Sequence, residues 1–268
     1  MIISQDKYKY LFILFHTDGM DERITITIKK NLLERIDNLV DKKGIRSRSH
    51  AFDVIIRDYF DKFEAKNAVV LCGGDYPHFA KKVNDDIVLK RIIKFLKKEN
   101  VKNIYVTVNK KNVEKVKEII GNEGIVLIEE GKPLGTGGAL KPLKSKLNDT
   151  FLVINGDVHF ELDLKDFLMF HKKNNNMITL CLTSAREPMD YGVVLMKGSN
   201  IVEFVEKPKV ASSYLINAGI FVAEPDIFNF MPEQEIVSIE EDVLPELAKS
   251  ERLSGYLLSG KWLDADKI

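Results

Sequence analysis

The chain reads as an α/β protein in two unlike parts, and three observations predict it. The first is the segment Arg23-Ile-Thr-Ile-Thr-Ile-Lys29, in which polar and apolar residues alternate without error. The second is a pair of short amphipathic patterns at helical spacing that follow this strand at once. The third is a regular alternation of strand and helix signals from about residue 67 onward, the pattern of a layered sheet.

Composition sets the bounds. A length of 268 residues leaves room for one large domain and a small one. Apolar residues make up 45 %, enough for a real core, and 30 % charged residues exclude a membrane bundle. The apolar run Tyr10-Leu-Phe-Ile-Leu-Phe15 is far shorter than the roughly 20 residues of a membrane span. It has no small-residue cleavage site, so it is not a signal peptide. The formal net charge is zero, so any affinity for nucleic acid must come from a local patch. Cys72 and Cys181 each sit in an apolar run and read as buried free thiols in a reducing cytoplasm. No Cys/His cluster has the spacing of a structural zinc site.

The first domain is expected over residues 20–66. Ile24, Ile26 and Ile28 share one strand face, with Arg23, Thr25 and Thr27 on the other. Leu32, Leu33, Ile36, Leu39 and Val40 form one helical cover for the isoleucine face, ending near Gly44. Phe52, Ile55, Ile56, Tyr59, Phe60 and Phe63 form the apolar face of a second helix, with Ser47 as its N-cap and Ser49 next in line. His50 stands where a capping-box glutamate belongs, so one cap contact is expected to be missing. Free N–H groups at this helix start, beside Arg46 and Arg48, make a natural phosphate clamp. A single strand in so short a unit has no pairing partner, so a second copy is expected to supply one. Residues 1–19 fit neither domain and read as a leader, disordered or not translated, with synthesis starting at Met20. Peptides from 1–19 in the native protein would refute the late start.

These residues resemble the ribbon-helix-helix DNA-binding family of CopG, Arc and MetJ type. The match rests on the alternating strand, on Leu32-Leu-Glu-Arg-Ile-Asp37 and on Gly44-Ile-Arg-Ser-Arg-Ser49. The resemblance implies a homodimer whose two-stranded ribbon lies in a DNA major groove. Arg23, Thr25 and Thr27 would read bases, while Arg46, Ser47 and Arg48 would hold phosphates of a palindromic operator.

The second domain is expected over residues 67–268. Strands are predicted at Ala68–Cys72, Asn103–Val108, Ile125–Ile128, Phe151–Asn155 and Met177–Leu182, with helices at 87–98, 113–120 and 164–173. The motifs Leu71-Cys-Gly-Gly74, Pro133-Leu-Gly-Thr-Gly-Gly-Ala-Leu140, Val153-Ile-Asn-Gly-Asp-Val158, Tyr191-Gly-Val-Val194, Glu206-Lys-Pro208, Ile216-Asn-Ala-Gly-Ile220 and Trp262-Leu-Asp264 occur in that order. Together they resemble the sugar-phosphate nucleotidylyltransferases, which join an NTP to a sugar 1-phosphate. The resemblance implies a Rossmann-like layered domain with a mostly parallel sheet. Its nucleotide would be held by Leu71, Gly73, Gly74, Gly135, Thr136 and Gly137, because close approach to backbone needs positions without Cβ. Gly138 would serve the same approach. Asp157 and Asp264 would hold Mg²⁺ as the catalytic carboxylates. Gly192, Glu206, Lys207 and Asn217 would bind the sugar phosphate.

One element departs from the family. Its long loop after the double glycine, with Gly-x-Gly-Thr-Arg and Lys-Pro-Leu segments, holds the triphosphate. Here Asp75-Tyr-Pro-His-Phe-Ala-Lys-Lys-Val83 follows directly and lacks the glycine turn and its arginine. His78 falls where the lysine belongs, Asp75 adds a repelling charge, and only Lys81 or Lys82 could compensate. Losing one preorganised charge donor typically costs about 10²–10³ in rate. Two functions follow: a DNA-binding regulator that senses a nucleotide-sugar, nucleotide or sugar phosphate, or a working nucleotidylyltransferase using Lys82 and dimerising through its ribbon.

Overall fold

The computed structural model describes residues 8–14, 23–40, 42, 44–61, 64–74, 77–121 and 124–267, and the chain divides into two compact units between Phe63 and Glu64. Phe63 and Asp75 therefore lie outside the described residues, as do 1–7 and 15–19 of the expected leader. Among the described residues, no helix is long and apolar enough to cross a membrane.

The small unit contains β1 (Tyr8–Leu14), β2 (Arg23–Lys29), α1 (Lys30–Asp37) and α2 (Arg48–Asp61). Here the structure corrects the sequence. The strand expected to lack a partner pairs antiparallel with β1 of its own chain, Tyr8 opposite Lys29 and Leu14 opposite Arg23. An open edge takes whichever extended segment lies nearest, and the apolar run read as leader supplies it. Thr25 and Thr27 are exposed, while Ile26 and Ile28 pack against a cluster of Ile36, Ile45, Ala51 and Phe52.

Ser47 precedes α2 as its cap, its Oγ accepting from the His50 amide at 3.2 Å. His50 in turn accepts, at Nδ1, from the Arg46 amide at 3.2 Å. The cap contact expected to be missing is thus made, shifted by one residue. The helices bury less than their patterns suggest. Phe52 is buried, but Leu32, Leu39, Ile55 and Tyr59 are exposed, Tyr59 by 54 %. Two short helices over one ribbon cannot turn both apolar faces inward at once.

The large unit begins with β3 (Asn67–Cys72), the short hairpin β4 (Lys82–Val83) and β5 (Asp86–Ile87), and α3 (Val88–Lys98). It continues with β6 (Asn103–Asn109), α4 (Val113–Ile120), β7 (Val126–Glu130), α5 (Gly135–Leu140), β8 (Phe151–Asn155), β9 (Val158–Phe160) and α6 (Leu164–Asn174). Then come β10 (Ile178–Ser184), β11 (Gly192–Lys197), β12 (Asn200–Glu206), β13 (Leu215–Ala223), α7 (Leu244–Lys249), β14 (Leu253–Leu257) and β15 (Trp262–Asp264).

Among the described residues one sheet runs in the order β10, β14, β12, β11, β13, β8, β3, β6, β7. From β8 to β7 the neighbours are parallel, as buried apolar strands joined by helical crossovers should be. From β8 through β13, β11 and β12 they are antiparallel. Successive residues of β3 alternate faces. Ala68 and Val70 join a core with Ile92, Val116 and Phe167, while Val69 joins one with Leu140, Phe151 and Leu244. Helical layers therefore cover both sides. The topology sets the ends of β3 and β8 side by side, with Leu71 opposite Asn155, so Gly73-Gly74 and Asp157 emerge together. Pairing of β15 with β9 then places Asp264 opposite Val158, next to Asp157.

Candidate functional site

A cleft lies at these strand ends and has two lobes that share Thr136, Asn155 and Asp157. The larger, of about 540 Å³, is lined by Tyr191, Gly192, Glu206, Lys207, Asn217 and Asp264 among others. All four residues expected to bind sugar phosphate therefore meet in one lobe. The smaller, of about 250 Å³, is lined by Leu71, Gly73, Gly74, Gly135 and Thr136, five of the six expected nucleotide residues. Sequence reading quoted Tyr191 and Trp262 within motifs but gave them no role, and did not name Asp190, Asp266 and Glu240 in the first lobe, or Thr107 and Glu130 in the second.

The larger lobe is acidic. Asp157, Asp190, Glu206, Glu240, Asp264 and Asp266 line it against Lys207 and Lys267. Lys267 is itself bound to Asp190 at 2.5 Å. Burial first, then Asp264 and Asp266, push the Asp157 carboxyl up to about 6. Burial and then Glu240 push Glu206 up to about 7, with Lys207 opposing. The Tyr191 hydroxyl is raised by burial, then by the charge of Asp264, to which it donates a hydrogen bond. Asp264 also accepts from the Asp266 amide at 2.8 Å. Among the described residues no group of three or more His, Cys, Asp or Glu is arranged around a metal. Asp157 and Asp264 nonetheless suit a cation that takes one or two carboxylates and completes its shell with water and phosphate oxygens, as Mg²⁺ does. Such an ion would relieve the repulsion that raises Asp157, shield phosphate charge and orient it.

The side chains of the shortened loop are engaged by the edge of the larger lobe. Lys81 donates from Nζ to the Ala265 carbonyl at 2.7 Å, and His78 Nδ1 meets the Asp266 carboxylate at 2.5 Å. Both therefore engage the turn after β15. Lys82 lies on β4 with its side chain exposed and lines neither lobe. A two-residue strand alternates its side chains, and Val83 takes the inward place.

The glycines of α5 also serve another end than expected. The amides of Gly137 and Gly138 donate to the Val237 carbonyl at 2.8 and 3.0 Å. A Cβ on Gly137 would stand 2.7 Å from the Val237 side chain, and one on Gly138 would stand 2.7 Å from the Glu235 carbonyl. Their lack of side chains admits a segment of the protein itself, and neither lines the cleft. Gly135, at φ +74°, lies against Val237 too but still borders the smaller lobe. The Thr136 hydroxyl donates to Glu240 at 2.5 Å and accepts from the Ile239 amide at 2.8 Å.

In the small unit Arg46, Ser47 and Arg48 gather at the start of α2, as expected. Arg48 grips Asp37 in a forked pair, Nη2 to Oδ2 at 2.7 Å, so its fork is already shaped for two oxygens. A phosphate would take that fork by displacing Asp37, an exposed partner.

The nucleotidyl transferase family model matches residues 75–267. The chain belongs to the nucleotidyl transferase family. A second family model, the ribbon-helix-helix proteins of the copG family, matches residues 22–62. Among the chain's relatives is mannose-1-phosphate guanylyltransferase 1 of Arabidopsis thaliana, 38 % identical over 146 residues, covering 52 % of this chain and 40 % of that protein. Another is the bifunctional protein GlmU of Methanocaldococcus jannaschii, 31 % identical over 216 residues, covering 75 % of this chain and 51 % of the relative. The chain thus spans about half the length of the curated relatives it matches. HddC of Yersinia pseudotuberculosis, solved with GMP-PN, superposes with a TM-score of 0.63 at 23 % identity, covering 75 % of this chain and 93 % of that one. That likeness shows the fold.

Proposed function

We propose that this chain is a DNA-binding transcriptional regulator whose nucleotidyl transferase unit binds a nucleotide-sugar or sugar phosphate as a signal. One observation carries the reading. Lys81 and His78, the side chains the short loop offers in place of a triphosphate cradle, are bound to Ala265 and Asp266 of the same unit. A lobe lined by more acids than lysines disfavours three phosphates in a row, whereas one or two phosphates, escorted by Mg²⁺ on Asp157 and Asp264, bring far less charge. The sugar-facing residues Glu206, Lys207, Asn217 and Gly192 remain together.

The ribbon supplies the output. A homodimer would cover the exposed face of Leu32, Leu39, Ile55 and Tyr59 and present Arg23, Thr25 and Thr27 twice to a palindromic operator. The buried free thiols of Cys72 and Cys181 fit a reducing cytoplasm, where DNA is met. For the ligand to regulate, it must bind the DNA-competent and DNA-incompetent dimers with different affinity. The test is operator affinity with and without saturating ligand. A difference of about fivefold or more supports sensing, and no difference ends it.

A catalytic reading has its own support in Asp157 and Asp264, adjacent and suited to a metal. Pyrophosphate release from NTPs with a panel of sugar 1-phosphates and Mg²⁺ separates the two. Turnover that Asp157→Asn abolishes would make the chain an enzyme.

A further inference from the structure

We propose that a cavity separate from both lobes of the cleft binds a small carboxylic acid with a compact apolar body, its carboxylate held by Arg91 and His159. The site is independent of what the cleft takes.

The cavity, of about 160 Å³, is lined by Arg91, Ile92 and Phe95 of α3 and by Val158, His159 and Phe160 of β9. Its two polar side chains bring donors and no acid. His159 is 6 % exposed, and its ring makes no hydrogen bond among the described residues. A neutral imidazole offers one N–H there. Arg91 is half-buried and meets no carboxylate among the described residues. Its Nη1 donates to the Val83 carbonyl at 3.4 Å, which leaves most of the guanidinium N–H groups unmatched by protein. One turn further along α3, by contrast, Lys94 is paired with Asp86 at 2.8 Å. Glu161 and Lys261 also act on the His159 ring, but they are opposite in sign and neither lines the cavity. A buried donor beside a half-buried cation costs free energy that an anion placed between them would recover.

Shape and polarity choose among anions. The rest of the wall is Ile92, Val158 and the rings of Phe95 and Phe160, which meet edge to face at 5.1 Å and 84°. Such a wall strips water from the oxygens of a phosphate dianion and returns too few donors to it. A carboxylate has two oxygens in one plane, which the guanidinium fork matches, with the imidazole N–H left for one of them. The apolar wall then takes a body of a few carbons. A volume well below the roughly 300–1,000 Å³ of drug-sized pockets admits nothing larger. Val158 lines the larger lobe as well and directly follows Asp157, so the acid would lie against the strand that Asp157 leads into.

The test is a chemical-shift titration of the full chain, labelled at its methyl groups, with isovalerate, isovaleramide and inorganic phosphate. Isovalerate should shift Ile92, which lines this cavity and neither lobe of the cleft, in a saturable manner. It should bind at least about tenfold more tightly than the amide, its neutral isostere, a comparison that needs no variant. Arg91→Gln should weaken isovalerate by about tenfold or more and leave the amide within about threefold. Equal affinity for acid and amide would make the cavity an apolar hole and overturn the proposal. So would phosphate matching isovalerate at Ile92, or isovalerate moving Ala218 and Met189 of the larger lobe while Ile92 stays still. An Arg91→Gln protein that binds the acid undiminished would remove the fork from the site. If no probe shifts Ile92, the cavity holds only water and the proposal fails.

Discussion

The two units differ in whether they finish their own cores. The large unit buries Phe151, Phe167, Leu89 and Ile154 completely between its sheet and helices. The small unit leaves Leu32, Leu39, Ile55 and Tyr59 in contact with solvent on α1, the turn after it and α2. The large unit keeps an extensive buried core beneath such exposed residues as Val210 and Tyr214. The small unit has only the cluster of Ile36, Ile45, Ala51 and Phe52 beneath its exposed side chains, so a partner that covers them is the expectation to test.

The strongest way to break this comparison is to charge the open face. Ile55→Asp combined with Tyr59→Asp should weaken self-association by about 100-fold or more, because the carboxylates would be buried in the pairing surface. Sedimentation and native mass spectrometry would read it, with the melting of the large unit unchanged. If association survives, copies do not meet on this face. The complementary change, Phe151→Ala, should destabilise the large unit by about 3–5 kcal/mol in denaturant titration and leave association intact.

A pH series sharpens the other side. Glu206 has its carboxyl raised to about 7, so the folded unit holds a proton that the unfolded chain releases near the ordinary carboxylate value. Its contribution is therefore lost as pH rises from about 4.5 toward 7, the reverse of an ion-paired acid. Glu206→Gln should flatten this slope, recovering on the order of 2 kcal/mol at neutral pH. An unchanged slope would mean that Glu206 is better solvated than its packing implies. The smallest effects belong to the ribbon. Arg23→Ala should relax base choice by about tenfold, whereas Arg48→Ala should weaken all DNA alike and reduce the salt slope by about one. Identical outcomes would argue that the strand reads no bases.

Legibility followed the range of the contacts. Phe151–Asn155 and Val113–Ile120 lie where their local patterns place them, because a continuous apolar run or a three-and-four spacing already fixes the element. β1 escaped because an apolar run does not say which edge it will join. The antiparallel half of the sheet escaped for a similar reason. β11, β12 and β13 are linked by register rather than by helical crossovers, and register is a long-range property. In the cleft, most residues named from the glycine and aspartate motifs line one lobe or the other. Gly137 was given the wrong neighbour, since nothing local reveals that Val237 arrives from a hundred residues away to fill its space. Glu130 had a local signal, an acid ending a strand just before Pro133-Leu-Gly-Thr, but only the fold shows it buried in the wall of the smaller lobe.

If copies pair through these helices, the protein becomes responsive to its own abundance. If only paired copies read an operator, then below the pairing constant halving the amount of chain cuts the reading form about fourfold. Dilution at cell division or slow proteolysis would then silence binding sooner than a one-to-one protein would allow. The four apolar side chains on α1, the turn after it and α2 would thus set a threshold as well as a shape.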